Sequence, residues 1–212
     1  MKTIVISCEL FRWLIDESKY PDYDFVYLEV ARHDEPAKLN QRLQEEINKS
    51  QGYDRIILLY GLCGNAIIGL TSPVDLFVYR SHDCSSVLLG NKSSYINHRW
   101  SCYALCKCDY YGDISNDGFK EYEEKYGEHA QYLWEMLRKD EGLYYVCLDG
   151  FDDKKALNNL ANKGHKVEKK LPGTLEVLDA ILEVQDHPMI FRLPANKKIK
   201  GVYDLVDIIT FE

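Results

Sequence analysis

The segment Arg55-Ile56-Ile57-Leu58-Leu59-Tyr60 constrains the fold of this chain more than any other. An amphipathic helix spaces its apolar residues three and four apart, and a half-exposed strand alternates them. A short unbroken apolar run marks a strand covered on both faces, as inner strands of parallel sheets are. Parallel neighbours need crossover connections, so the flanking sequence has to supply helices.

The flanks meet that demand. Lys2 to Ser7 reads as a first strand and Phe11 to Lys19 as a short helix ended by Pro21. Phe25 to Val30 reads as a second strand. Pro36 to Lys49 is an amphipathic helix: Leu39, Leu43 and Ile47 recur every four residues, and a proline opens it. The run from Arg55 to Tyr60 is the third strand. A helix is expected from Ala66 to Leu70, a fourth strand from Leu76 to Tyr79, and a helix from Ser85 to Leu89. The second half repeats the alternation more loosely. Strands are expected at Ser101 to Cys106, Leu143 to Leu148, Lys166 to Lys169 and Met189 to Leu193. Helices are expected at Gly118 to Lys139, Asp153 to Asn162 and Thr174 to Leu182, the last opened by Pro172-Gly173-Thr174. The fold class is therefore α/β, with a mainly parallel sheet and helices on both faces in the Rossmann-like manner.

The 212 residues are enough for one large domain or two lobes. A lobe over 1–108 would carry the Cys and His motifs. Residues 109–212 would form a second α/β lobe or continue the first, with the join near DYYGDISND at 109–117. The net charge of -8 argues against nucleic-acid or anionic-membrane partners, which select basic faces. MKTIVISCELF runs quickly into charged residues and reads as a strand rather than a signal peptide. No segment approaches the roughly 18 apolar residues of a membrane span. The seven cysteines, an odd number without an export signal, read as cytoplasmic thiols.

Ligands of parallel α/β sheets gather beyond the carboxyl ends of the strands. Here each of the first strands ends at a potential metal ligand. Cys8 follows the first, His33 the second, Cys63 the third, and His82 with Cys84 the fourth. A single buried cysteine is usually a small hydrophobe, so it is the joint placement that points to a site. Thiolates with imidazoles suit zinc, and three thiolates suit zinc or an iron–sulfur cluster. Gly61 and Gly64 flank Cys63 closely enough to let backbone approach a ligand. Asn65 lies beside them. Asp83 would orient an imidazole, and Arg80 would hold an anion or offset thiolate charge. Cys102, Cys106 and Cys108 share strand parity. They read slightly better as a face of small buried residues than as added ligands or a redox pair.

YGLCGNAIIGL followed by VYRSHDCSSVLLG resembles the central signature of an uncharacterised prokaryotic family, number 1638 of the domains of unknown function. That signature reads Tyr-Gly-x-Cys-Gly-Asn, then Arg-x-His-Asp-Cys, then Leu-Leu-Gly. LEVARHDEPAKL is similar to the family's Leu-His-x-x-Pro-x-x-Leu segment. The resemblance covers most of residues 1 to about 110, and it weights Cys8, His33, Cys63, Arg80, His82, Asp83 and Cys84. It departs at CYALCKCDYYG, where the family has an aromatic-rich strand ending in Gly-Trp.

The resemblance implies a cytoplasmic α/β protein of anaerobes. Such proteins are often encoded beside corrinoid-dependent methyltransferases that act on methylamines. The expectation is a metal-binding protein of corrinoid-linked methyl metabolism, with methyl transfer as the reaction if it is an enzyme. Two rivals stand beside it. One is an iron–sulfur protein; the other is a non-catalytic accessory that binds a corrinoid or a partner methyltransferase.

Overall fold

The computed structural model describes residues 1–29, 36–82, 84–90, 101–103, 123–124, 127–130, 143–162, 167–202 and 208–212. The chain divides into two compact units. One is Met1–Lys92 with Thr174–Glu212, and the other is Ser93–Gly173. The expected join at 109–117 lies outside the described residues.

The first unit is α/β and is built on a five-stranded sheet in the order β2-β1-β3-β4-β8. Its strands are β1 (Thr3–Cys8), β2 (Tyr23–Leu28), β3 (Arg55–Leu59), β4 (Asp75–Tyr79) and β8 (Ile190–Leu193). The first four are mutually parallel, and β8 runs antiparallel to β4. Every residue of β1 is buried, as are Ile56 to Leu59 of β3. That is the two-sided burial the unbroken apolar run demands. In register, Val5 lies between Phe25 and Ile57, and Ile57 lies between Val5 and Phe77. Helix α1 (Pro36–Lys49) carries the chain from β2 back to β3 and buries Leu39, Leu43 and Ile47. Buried Glu46 in the same helix is satisfied by Arg42 at 3.0 Å and Lys49 at 2.9 Å.

Two expected helices do not form. Instead of a helix over Phe11 to Lys19 there are two short 3-10 turns, Glu9–Phe11 and Glu17–Lys19. Asp16 separates them, because its carboxylate accepts from the Ser18 amide and restarts the chain as a cap. The segment from Ala66 to Leu70 is a set of turns, closed by Ala66 N–H to the Leu62 carbonyl at 2.8 Å and Ile68 N–H to the Asn65 carbonyl at 3.0 Å. Gly69, at φ 87, ends it. Helix α2 (Cys84–Leu88) is one short turn and a half. The direction of β8 was not legible in sequence. Nor was the antiparallel pair β9 (Ile199–Gly201) and β10 (Ile209–Phe211).

The second unit contains a three-stranded sheet in the order β5-β6-β7, all parallel. Its strands are β5 (Ser101–Tyr103), β6 (Leu143–Cys147) and β7 (Val167–Pro172), with α3 (Lys154–Asn162) between β6 and β7. Most of the helix expected over Gly118 to Lys139 lies outside the described residues. Its middle is a 3-10 turn at Gly127–His129, where Gly127 takes φ 52 and interrupts regular α geometry. Cys106 and Cys108 are outside the described residues. In the first unit again, α4 (Glu176–Leu182) starts two residues later than expected, with Thr174 Oγ1 accepting from the Glu176 amide at 3.1 Å.

No helix among the described residues is long and apolar enough to cross a membrane.

Candidate functional site

Strand order decides which strand ends become neighbours. From β1 the chain moves outward to β2, and α1 then carries it back past β1 to β3. The connections leaving β1 and β3 therefore diverge, which is the topological switch point at which ligands of open α/β sheets bind. Cys8 is the last residue of β1, and Cys63 lies four residues beyond the end of β3. Both thiols are buried, at 2% and 9% exposure.

Tyr60 lies near both of them. The register of β1 with β3 ends at Ser7 and Leu59, and the chain then turns, with the Tyr60 N–H donating to the Leu58 carbonyl at 2.9 Å. Tyr60 is 2% exposed. Burial pushes its phenol far above the ordinary tyrosine range, and the neighbouring Cys8 and Cys63 sulfurs push in the same direction. The phenol is thus within electrostatic reach of both thiols. Burial also pushes the Cys8 thiol up to about 12, against an opposing hydrogen bond from the Leu10 amide. Without a cation, Cys8 is held as the neutral thiol.

The loop carrying Cys63 is conformationally unusual. Cys63, Gly64 and Asn65 have φ values of 45, 70 and 73. Glycine tolerates that region freely and asparagine visits it, but cysteine seldom does. A non-glycine residue held there is strained, and such strain persists where surrounding contacts over-determine the backbone. Those contacts come from two directions. The Leu62 N–H donates to the Ser81 carbonyl at 2.8 Å, and the Cys63 N–H donates to the His82 carbonyl at 3.0 Å. These bonds tie the loop after β3 to the loop after β4. On the other side, α1 clamps the turn: Asn40 Nδ2 donates to the carbonyls of Ala66 and Ile68 at 2.7 and 2.9 Å. Pro36 Cγ lies 2.9 Å from where a Cβ on Gly64 would stand, so only glycine fits beneath the start of α1.

Strain of this kind has a measurable sign. In a helix interior glycine is worse than alanine, but at φ 45 alanine carries the left-handed penalty and glycine does not. Cys63→Gly should therefore be more stable than Cys63→Ala by about 1 kcal/mol in urea unfolding. Equal stability, or the reverse order, would show that the loop relaxes out of the left-handed region.

The remaining expected residues fall as follows. Gly61 is buried against Ser81. Gly64 and Asn65 are exposed at the turn. His82 is exposed, although its carbonyl anchors Cys63. Arg80 is half-buried; its N–H donates to the Met189 carbonyl at 2.7 Å, and its guanidinium stands 5.4 Å from the centre of the Phe191 ring. The Cys84 backbone opens α2, and its side chain is outside the described residues, as are His33 and Asp83. Among the described residues, no group of three or more His, Cys, Asp and Glu side chains could hold a metal ion.

Sequence reasoning missed Tyr60, Asn40 and Ser81. Tyr60 carried a faint signal, as a bulky polar-tipped residue just after the apolar run Ile56 to Leu59 and directly before Gly-x-Cys-Gly. Asn40 sits next to Leu39 on the inward side of α1, where a polar residue needs a partner. Nothing in the local pattern marks Ser81.

Comparison with known proteins adds the family. A family model described as "Protein of unknown function (DUF1638)" matches residues 27–163. No curated protein and no solved structure matches the chain.

Proposed function

Because the chain belongs to the DUF1638 family of proteins of unknown function, we propose the reading that its strand-end thiols support best. It is a cytoplasmic metal-binding protein of corrinoid-linked methyl metabolism. The observation that carries the metal reading is the convergence of buried Cys8 and Cys63 on Tyr60, where the connections of β1 and β3 diverge. Two buried sulfurs from distant parts of the sequence both act on the Tyr60 phenol, and one of them sits on a strained backbone. A pair of merely hydrophobic cysteines needs neither feature.

The donor chemistry fits a thiophilic ion such as zinc, or an iron–sulfur cluster. Cys8, Cys63 and Cys84 would hold it, with His33 or His82 completing the set. Bound there, the ion supplies a Lewis acid that activates a thiol or polarises a methyl acceptor. This chain's own residues do the rest. Gly61 and Gly64 let backbone approach the ligand, Asn65 and Asp83 orient it, and Arg80 offsets negative charge. The strand order β2-β1-β3-β4 matches flavodoxin-like doubly wound sheets. A Rossmann-like arrangement with helices on both faces is part of the same proposal. The partner would be a corrinoid protein or its methyltransferase, with a corrinoid as a further ligand; the acidic charge disfavours nucleic acid.

Anaerobic purification with elemental analysis and an absorption spectrum tests this. Wild type should carry stoichiometric metal, and Cys63→Ser and Cys84→Ser should lose most of it. A colourless zinc protein, a brown iron–sulfide protein or a red corrinoid spectrum identifies what is held. Equal metal content in all three proteins would overturn the reading.

A further inference from the structure

The two edges of the five-stranded sheet are built differently. An edge strand presents a row of backbone N–H and C=O groups to any passing strand, and proteins blunt such edges with short strands, charges, prolines or bulges. The β8 edge is blunted. It has four residues, it carries exposed Arg192 bonded to Asp75 at 2.9 Å, and Pro194 follows directly. The β2 edge is not. Tyr23–Leu28 runs for six residues in unbroken register with β1 and contains no proline, lysine or arginine. Among the described residues, the backbone from Asp24 to Leu28 makes no hydrogen bond beyond that register. Tyr23, Phe25 and Tyr27 share one face of the strand, with successive ring centres 6.4 and 6.2 Å apart. The charge along this edge is balanced. Asp24, the one charged residue of the strand, accepts from the Tyr53 hydroxyl at 2.6 Å and pairs with Lys2 at 3.7 Å. In the cleft where β2 meets α1, Lys38 and Arg42 stand with Glu29 and Glu45. A net charge of -8 opposes contact between copies in general, and this edge is free of that repulsion.

We propose that β2 is a self-association edge: the β2 strands of two copies pair antiparallel about a twofold axis at Phe25, joining their sheets into one. Residues directly opposite in an antiparallel pair share a face. This axis sets Phe25 against Phe25 of the second copy, Tyr23 against Tyr27, and Asp24 against Val26. Aromatic meets aromatic, and no like charges oppose each other. An axis at Asp24 would set that carboxylate against itself, and an axis at Val26 would set Tyr23 against Glu29. The strand is thus its own complement about Phe25, as an isologous contact requires. That property selects a second copy over an unrelated extended peptide. The proposal is independent of the metal reading.

The experiment is analytical ultracentrifugation of the full-length protein under reducing conditions, over a dilution series. Wild type should show a monomer–dimer equilibrium. Phe25→Lys sets two ammonium groups opposite each other, and Phe25→Glu sets two carboxylates. Each should raise the dimer dissociation constant about tenfold or more. An equimolar mixture of the two variants places opposite charges across the axis and should recover the dimer. A variant that merely folds poorly does not recover on mixing. As a second measurement, Phe25→Cys treated with diamide should form an intermolecular disulfide, mapped by mass spectrometry to position 25 of both chains. Wild type treated alike gives the background from the native thiols. Wild type that stays monomeric throughout the series overturns the proposal, and so does a dimer that neither charge variant weakens and Phe25→Cys does not link.

Discussion

Gly61→Ala should destabilise the protein by about 2–3 kcal/mol, read as a lowered urea midpoint with an unchanged slope. The cause is a close approach of two backbones. A Cβ at position 61 would meet the Ser81 Oγ, and would stand 2.6 Å from the Ser81 carbonyl oxygen and 3.1 Å from its carbonyl carbon. The Oγ can rotate away; the carbonyl cannot. It is held by the Leu62 N–H at 2.8 Å, and the next bond along, Cys63 N–H to the His82 carbonyl at 3.0 Å, pins the Cys63 backbone. Relief requires the loops after β3 and β4 to separate, and that releases Cys63 from its left-handed conformation. On the metal reading proposed above, the same variant should lose metal together with stability. A change within about 0.5 kcal/mol, typical of unconstrained surface positions, would show that the two loops are not locked.

Ile57→Ala should cost about 3–4 kcal/mol, measured in the same way. Ile57 is fully buried at the centre of β3, in register with Val5 on one side and Phe77 on the other. Removing three heavy atoms from a strand flanked by two others leaves a cavity the sheet cannot close, because ladder hydrogen bonds fix the strand spacing. A cost below about 1 kcal/mol would mean that the core collapses around the gap. This cost falls on the fold, whereas that of Gly61→Ala falls on the site. Ile57→Ala is thus expected to weaken the protein and, on the metal reading proposed above, to leave metal stoichiometry in the folded fraction unaltered.

Ile57 also illustrates what was legible. An unbroken apolar run announces a doubly covered strand whatever the rest of the chain does, and helix α1 was legible to the residue, Pro36–Lys49. Both signals are local, arising from side-chain period and from proline at a helix start. The failures were local conflicts. Ala66 to Leu70 has apolar helix-like content, but the residues before it adopt positive φ and Gly69 closes the segment after one turn. Phe11 to Lys19 is divided by an aspartate that caps its own neighbour.

By itself the sequence determined that short apolar strands build a mainly parallel sheet, and that cysteines and histidines follow the ends of those strands. Only the tertiary structure decided that β1 and β3 are neighbours, which brings Cys8 and Cys63 to Tyr60. Only it placed Cys63 in a left-handed turn and seated Gly61 on Ser81, and only it returned Thr174–Glu212 to the first unit. The reason is range. Periodicity and capping act over a few residues, whereas strand order and backbone approach are set by contacts between segments far apart in the chain, which no local pattern encodes.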